Sequence, residues 1–366
     1  MKKIIIIGII AASGLALLFY RSNYTQRIRI AINIPLSGPV ATVSGNYPKG
    51  FRMGIDEACI EFGVPRDVFE LDIQDNVASP VTAVSVFNQQ KIRGYDAYIV
   101  GTTEAASAVT PVLKDDALKP AFLFVYDAFM TTKNENLYRI FTSFKAEAPL
   151  WVRFAEKIKA KKVFVISLDM SGTEEEFSKL IIPSLTSKGI SVERVRFSSA
   201  TVNFREIVAK AKESKADAFF ISGYSFHLDN AISAMHENNL IRKHNTMCSM
   251  DFADFTHLKN GQNGTKYNDI IFACPLFEIR KNETEEWCKR YRELYANEPT
   301  YIEAYAYDNA RFLVYSYSKL GKISADVLLN LPKLKGIACD VTFDSDRDVL
   351  PSLSLAYLHN GVIQEW

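Results

Sequence analysis

The sequence contains little cysteine and little histidine, with five of each among its 366 residues. The cysteines do not recur at CxxC spacing, which argues against a zinc site and against a disulfide framework. We expect buried free thiols, and pairing of Cys248 with Cys274 remains the alternative. A formal net charge of +1 leaves no basic footprint, so nucleic acid is not an expected partner.

Catalytic signatures are also missing from the sequence. His236-Glu237 begins like a zinc-protease HExxH motif, but Leu240 stands where the second histidine is required. The chain has no phosphate-binding P-loop, no GxGxxG fingerprint after a predicted strand and no GxSxG elbow. We therefore predict a protein that is not an enzyme and that uses no metal and no cofactor.

One long apolar run is present, at residues 4–20, after Lys2-Lys3. At about 1.5 Å per residue it spans roughly 26 Å, close to the bilayer core of about 30 Å. We favour an uncleaved anchor over residues 1–26 that leaves the rest of the chain outside the inner membrane. A cleaved signal peptide is the alternative, with small residues available at positions 11–14.

After residue 27 the apolar pattern alternates between strand and helix. The predicted strands are 28–34, 69–74, 95–100, 121–125, 163–168, 191–196, 216–222, 246–249 and 270–273. Helices are predicted between them, including 45–62, 80–92, 104–115, 174–188, 204–214 and 228–239. Such alternation favours an α/β fold with parallel sheets, and the break near 137–149 favours two of them. Two successive helices at 283–295 and 302–320 and short C-terminal strands complete the pattern.

Polar and aromatic residues follow successive predicted strands. They are Thr102, Thr103, Glu104, Tyr126, Asp127, Ser171, Tyr224, Asp251 and Asp254. Ligands of parallel α/β sheets bind beyond the carboxyl ends of the strands. Loops after strands are polar in any case, so each residue alone is weak evidence, and together they predict a cleft between two sheets.

Five segments in order resemble one known family. They are 28–58 with its PLSGP loop, 71–101 with DNVASPVTA, the crossing FTSFKAEAP at 141–149, the helix pair at 285–321, and 336–364 with its terminal hairpin. The chain resembles the bacterial branched-chain amino acid (Leu/Ile/Val) binding proteins, which are type I periplasmic solute-binding proteins of ABC transporters.

This resemblance implies the architecture. It implies two Rossmann-like lobes with parallel sheets, joined by three interlobe crossings and closing around a ligand by hinge motion. Lobe 1 is expected to combine residues 27–145 with 276–340, and lobe 2 residues 146–275 with 341–366. The crossings are expected near 144–147, 273–277 and 339–343.

The resemblance also implies site residues, and several positions depart from the family pattern. Tyr224 matches the aromatic residue of the second lobe, and Asp251 matches the acid that pairs with the ligand ammonium. Ala105 and Ala128 stand where hydroxyl residues hold the amino acid in the family. Ser44 and Ser171 stand where tyrosines cover the ligand side chain.

We therefore expect a periplasmic protein that binds or senses a small polar ligand, amino acid-like or cationic, in an altered amino acid site. The ligand-binding candidates are Ser44, Thr103, Glu104, Ala105, Tyr126, Asp127, Ser171, Tyr224 and Asp251. Its expected partner is an ABC transporter permease or another envelope protein. The alternative is an envelope scaffold that keeps the fold for protein interaction and has lost ligand binding.

Overall fold

Two sheets organise the chain, and the first is entirely parallel. The computed structural model describes residues 27–38, 40–114, 117–253, 266–350, 353–359 and 361–366. In chain order the strands of the first sheet are β1 (Ile28–Ile34), β2 (Phe69–Asp75), β3 (Ala97–Gly101), β4 (Ala121–Phe124) and β5 (Leu137–Tyr138). Their spatial order is β2-β1-β3-β4-β5. Strand β1 is almost wholly buried, as expected in a parallel sheet covered on both faces.

The second sheet has seven strands and a mixed edge. Its strands are β6 (Lys162–Leu168), β7 (Ser191–Phe197), β8 (Ala218–Ser222), β9 (Thr246–Cys248), β10 (Ile270–Pro275), β11 (Leu353–His359) and β12 (Val362–Glu365). Their order is β12-β11-β10-β9-β8-β6-β7. The C-terminal hairpin β11–β12 adds antiparallel strands to an otherwise parallel sheet. Cys248 and Cys274 lie on the adjacent strands β9 and β10, and all five cysteines are buried free thiols.

The helices of the first lobe begin and end at recognisable signals. They are α1 (Ala41–Ser44), α2 (Tyr47–Phe62), α3 (Pro80–Arg93) and α4 (Thr103–Leu113). Ser79 precedes Pro80, the first residue of α3, and its hydroxyl accepts a hydrogen bond from the Thr82 amide. Gly63 and Gly94 take the left-handed conformation that ends α2 and α3. The predicted helix 45–62 begins two residues later, at Tyr47, and the short helix α1 before it was not predicted.

The second lobe contains an unusual helical segment. Its helices are α5 (Phe144–Lys157), α6 (Ser171–Glu175), α7 (Ile182–Ser187), α8 (Arg205–Glu213) and α9 (Ser225–Glu237). A π-helical segment, Glu176–Ile181, joins α6 to α7. The single helix predicted over 174–188 is thus three segments, and the wider π turn changes which side chains face inward.

Helices after β10 return to the first lobe. They are α10 (Leu276–Ile279), α11 (Glu285–Tyr295), α12 (Tyr301–Leu320) and α13 (Ala325–Leu328). Helix α12 is buried on every side from Tyr301 to Tyr317. Helix α2 approaches so closely that a Cβ on Gly50 would lie 2.3 Å from the Glu303 carbonyl oxygen. This contact makes α12 part of the first core.

The segment near the expected third crossing contacts the core of the first lobe. Val341 and Val349 belong to the core of the first lobe. Isolated bridges join Leu334 to Val341 and Arg139 to Asp348. Residues 341–349 were expected in lobe 2. We propose that they belong to lobe 1, because Val341 and Val349 complete its core.

Among the described residues, no helix is long and apolar enough to cross a membrane. The apolar run at 4–20 lies outside those residues, as does Asp254.

Candidate ligand-binding cleft

The turn after β3 is built by a strained threonine. Thr102 has a φ of 70°, a left-handed conformation that is uncommon for a residue other than glycine. Its hydroxyl accepts from the Ala105 amide at 3.4 Å and so caps α4. Ala105 is fully buried, while Glu104 is exposed at the helix start and Thr103 is half-buried. Glu104 is thus the side chain that this turn presents to its surroundings.

The loop after β4 is held by the rest of lobe 1 and by the first crossing. The Tyr126 hydroxyl lies 2.9 Å from that of Tyr301, and its ring stacks on Phe144 with 5.8 Å between centroids. Asp127 is buried, and its carboxylate accepts from the Phe129 amide at 2.9 Å. Tyr126 therefore lies where the chain enters the second lobe, and the Asp127 carboxylate shapes a turn.

Two predicted serines have different surroundings. Ser44 is buried, and its hydroxyl donates to the Pro35 carbonyl at 2.7 Å. Ser171 is exposed at the start of α6, beside the buried Gly172. A Cβ on Gly172 would lie 3.3 Å from the Phe144 ring and 3.7 Å from Asp127. The two lobes thus approach each other closely at α6.

Tyr224 lies at the start of α9, within the electrostatic field of both lobes. Its hydroxyl donates to the Met170 sulfur at 3.3 Å, and its ring stacks on His227 at 5.7 Å. Burial raises the pKa of the Tyr224 phenol, and the charges of Glu104 and Asp251 raise it further. Glu104 of the first lobe and Asp251 of the second thus both lie close enough to Tyr224 to act on it electrostatically.

Asp251 follows β9 in a protected position. The Ser249 hydroxyl donates to its carboxylate at 3.2 Å. Burial raises the pKa of Asp251 to about 6, because the Ser249 hydroxyl and the backbone amide of Asp251 itself do not offset the loss of water around the charge. Near neutral pH the Asp251 side chain is an anion, and no lysine or arginine among the described residues forms an ion pair with it.

Sequence reasoning missed two buried acids behind Asp251. Glu147, in the first turn of α5, and Glu176, at the start of the π-helical segment, are both fully buried. Glu176 belongs to an acidic run, Glu174-Glu175-Glu176, which is typical of a solvated helix start. No local sequence pattern distinguishes Glu176 from Glu174 and Glu175. Its inward direction comes from the π-helical turn that begins at this residue.

In the described part of the chain, no group of three or more histidine, cysteine, aspartate or glutamate side chains is arranged to hold a metal ion. A separate cavity of about 470 Å³ opens on the second lobe, lined by His244, Tyr357 and Trp366 among others. It lies at the amino ends of β9 and β10, opposite to the residues described above.

Two α/β lobes with these crossings, and with candidate site residues after the carboxyl ends of their strands, define a type I periplasmic binding protein. Residues 27–334 match the family described as "Periplasmic binding protein", and the chain belongs to that family. It is accordingly a binding protein rather than an enzyme, and the family implies a periplasmic location.

A sequence relative is the "Leu/Ile/Val-binding protein homolog 3" of Brucella melitensis, 26% identical over 204 residues. The match covers 54% of this chain and 54% of that protein, so it spans about half the length of each.

Solved structures share the fold. The branched-chain amino acid transporter substrate-binding protein of Streptococcus pneumoniae, in complex with isoleucine, has a TM-score of 0.77 at 18% identity, over 93% of this chain and 99% of that one. A solute-binding protein of R. palustris, in complex with 4-hydroxybenzoate, has a TM-score of 0.77 at 20% identity, over 93% and 96%. At these identities the likeness shows the fold alone.

Proposed function

We propose that this protein is a periplasmic receptor for a small polar ligand that carries a positive charge, held between the lobes in an altered amino acid site. The observation that carries this proposal is the shared field of Glu104, Tyr224 and Asp251. Two carboxylates from opposite lobes act on one aromatic ring, and a cation between them would relieve their repulsion.

Each of the three side chains has a distinct role in the proposal. Asp251 is the charged acceptor for the cation, because it follows a parallel strand and has one hydroxyl donor, Ser249. Tyr224 offers a ring face, which contributes up to about 2 kcal/mol against a desolvated cation. Glu104 is the second acid, contributed from the other lobe.

The altered positions argue against an amino acid held by its carboxylate. Ala105 and Ala128 are buried and have no hydroxyl to donate. A hydrogen bond to a charged group contributes about 1.5–3 kcal/mol, so two missing hydroxyls weaken carboxylate binding by roughly 3–6 kcal/mol. The ligand is thus expected to depend on the acids more than on backbone donors at the start of α4.

The test is titration calorimetry of the purified protein with spermidine, lysine, leucine and valine. We expect a cationic compound to bind, and Asp251→Asn to weaken it by about 1.5–3 kcal/mol, which is about 10- to 150-fold. Asp169→Asn is the matched control, since Asp169 follows β6 on the same lobe but is exposed and paired with Arg196. Tight binding of leucine or valine would contradict the altered site.

A scaffold without a ligand is the second candidate. The close approach of Gly172 to Phe144 and Asp127 favours it, because the lobes can pack on each other directly there. Absence of binding by all four compounds, with the fold intact, would favour this candidate over the receptor.

We also propose that residues 4–20 tether the protein to the inner membrane, where it would meet an ABC transporter permease or another envelope protein. The support is the length of the apolar run and the preceding Lys2-Lys3. The native protein should then stay with membranes through a carbonate wash. A mature N-terminus between residues 12 and 24 would contradict the tether.

A further inference from the structure

Three carboxyl groups of the second lobe lie close enough to act on one another electrostatically. One oxygen of Glu147 accepts from the Met250 amide at 3.2 Å, and the other has no hydrogen-bond partner. Neither oxygen of Glu176 has a partner, although the side chain is fully buried. Asp251 adds the third carboxyl, and the three act on one another electrostatically.

Few opposite charges face this group. Arg194, on β7, is the cation that acts on Glu176, but its Nε donates to Ser167 at 2.8 Å and its Nη1 pairs with Glu174 at 3.1 Å. Its remaining nitrogen, Nη2, is buried without a partner. Arg194 is therefore engaged beside the three acids and does not pair with them.

Among the described residues, the other groups that act on these acids supply no further cation. From α5, the Trp151 indole favours the charged forms of both glutamates, but no hydrogen bond joins it to Glu176. From β9, the Cys248 thiol lies within the field of Glu147. From α9, the Tyr224 phenol lies within that of Asp251. The thiol and the phenol are neutral at ordinary pH.

Glu147, Glu176 and Asp251 cannot all be ionised in these surroundings without a large cost in free energy. Removing a carboxylate from water without a partner costs several kcal/mol, and like charges nearby add to this cost. A protonated carboxyl is neutral and can donate a hydrogen bond, so protons remove both penalties. Glu176, with both oxygens buried and unpartnered, is the carboxyl for which protonation removes the largest penalty.

We propose that Glu147, Glu176 and Asp251 form a shared proton-binding site that makes the charge of the lobe 2 cleft wall depend on pH. That this wall faces a ligand rests on the proposed function; that it binds protons does not.

The direction of the pKa shifts agrees with this geometry. Burial raises the pKa of Glu147, and the charge of Asp251 raises it further. Burial likewise raises the pKa of Glu176, followed by the charges of Glu147 and Asp251. The pKa of Asp251 is about 6. The folded protein therefore binds more protons than the unfolded chain from about pH 4 upward, and stability is lost as pH rises through the folded pKa values.

The test is thermal unfolding of the purified full-length protein, with no ligand present, between pH 5 and pH 8. Each proton that the folded state must release lowers the Tm by about 2 °C per pH unit for a chain of this length. We expect Glu176→Gln, which mimics the protonated acid, to unfold at a higher temperature than the wild type at pH 8 and to flatten the profile. Glu147→Gln should do the same.

The control is Glu175→Gln, since Glu175 precedes Glu176 and pairs with Lys179 at 2.9 Å on the surface. Its profile should run parallel to that of the wild type. Parallel wild-type and Glu176→Gln profiles would overturn the proposal.

Difference infrared spectroscopy gives a second measurement that needs no stable variant. The wild-type protein should show a protonated carboxyl band at pH 7 that is lost at higher pH. Absence of that band would overturn the proton site. Neither measurement uses a ligand. Failure of the proton-site proposal can therefore be distinguished from failure of the proposed function, which is tested by calorimetry with ligands.

Discussion

At the residue scale, a buried ion pair fixes the end of lobe 1. Arg139 and Asp348 form two hydrogen bonds of 2.5 Å, and both side chains are buried. Arg139 also donates to the carbonyls of Val125 and Asp127, so it ties the last crossing to the loop after β4. Burial raises the pKa of Asp348 even though the Arg139 guanidinium lowers it, so the cost of burying this charge exceeds the gain from the ion pair.

Asp348→Ala should therefore destabilise the protein by about 3–5 kcal/mol, because it leaves the Arg139 guanidinium buried without its counter-ion. The measurement is the urea unfolding midpoint at pH 7. Asp346→Ala is the matched control, since Asp346 lies two residues away and pairs with Lys145 at 2.6 Å near the surface. It should cost less than about 1 kcal/mol. If the two variants lost the same free energy of unfolding, the buried pair would contribute no more to stability than the surface pair.

At the element scale, the sequence predicted strands better than helices. The predicted strand 163–168 differs from Lys162–Leu168 by one residue, because a buried parallel strand is a continuous apolar run with clear ends. The predicted helix 174–188 missed the π-helical segment Glu176–Ile181, since a widened turn leaves no local pattern.

The same difference applies to the candidate site. Glu104, Tyr224 and Asp251 could be proposed from the sequence because each follows a strand, and parallel strands place such residues at one edge. Glu147 and Glu176 could not, since both look like acids in the first turn of a solvated helix. Their burial comes from the packing of α5 against the π-helical segment, a contact between segments about 30 residues apart.

At the scale of the whole molecule, the two lobes contact each other beside the cleft as well as through the crossings. The Lys179 ammonium lies 5.0 Å from the Phe129 ring centroid, and these residues follow β4 and β6 on different lobes. Lys145, just after the first crossing, pairs with Asp344 at 3.3 Å beside the last. We infer that a hinge motion would break the first contact and keep the second, since the second lies at the crossings.

The chain order of the lobes leads to a last prediction. We propose that each lobe is discontinuous, and the first core contains residues from β1 as well as from α12 and the segment up to Val349. A fragment of residues 27–145 lacks α12, so the face of α2 with Phe51 and Ile55, buried in the whole chain, would be exposed to water. This fragment should not unfold cooperatively when heated and followed by circular dichroism.

Joining the fragment through a flexible linker to residues 277–350 should restore a cooperative transition, because that segment supplies the missing helix and the Asp348 partner of Arg139. A fragment of residues 27–145 that folds cooperatively alone would show that lobe 1 does not need its second segment.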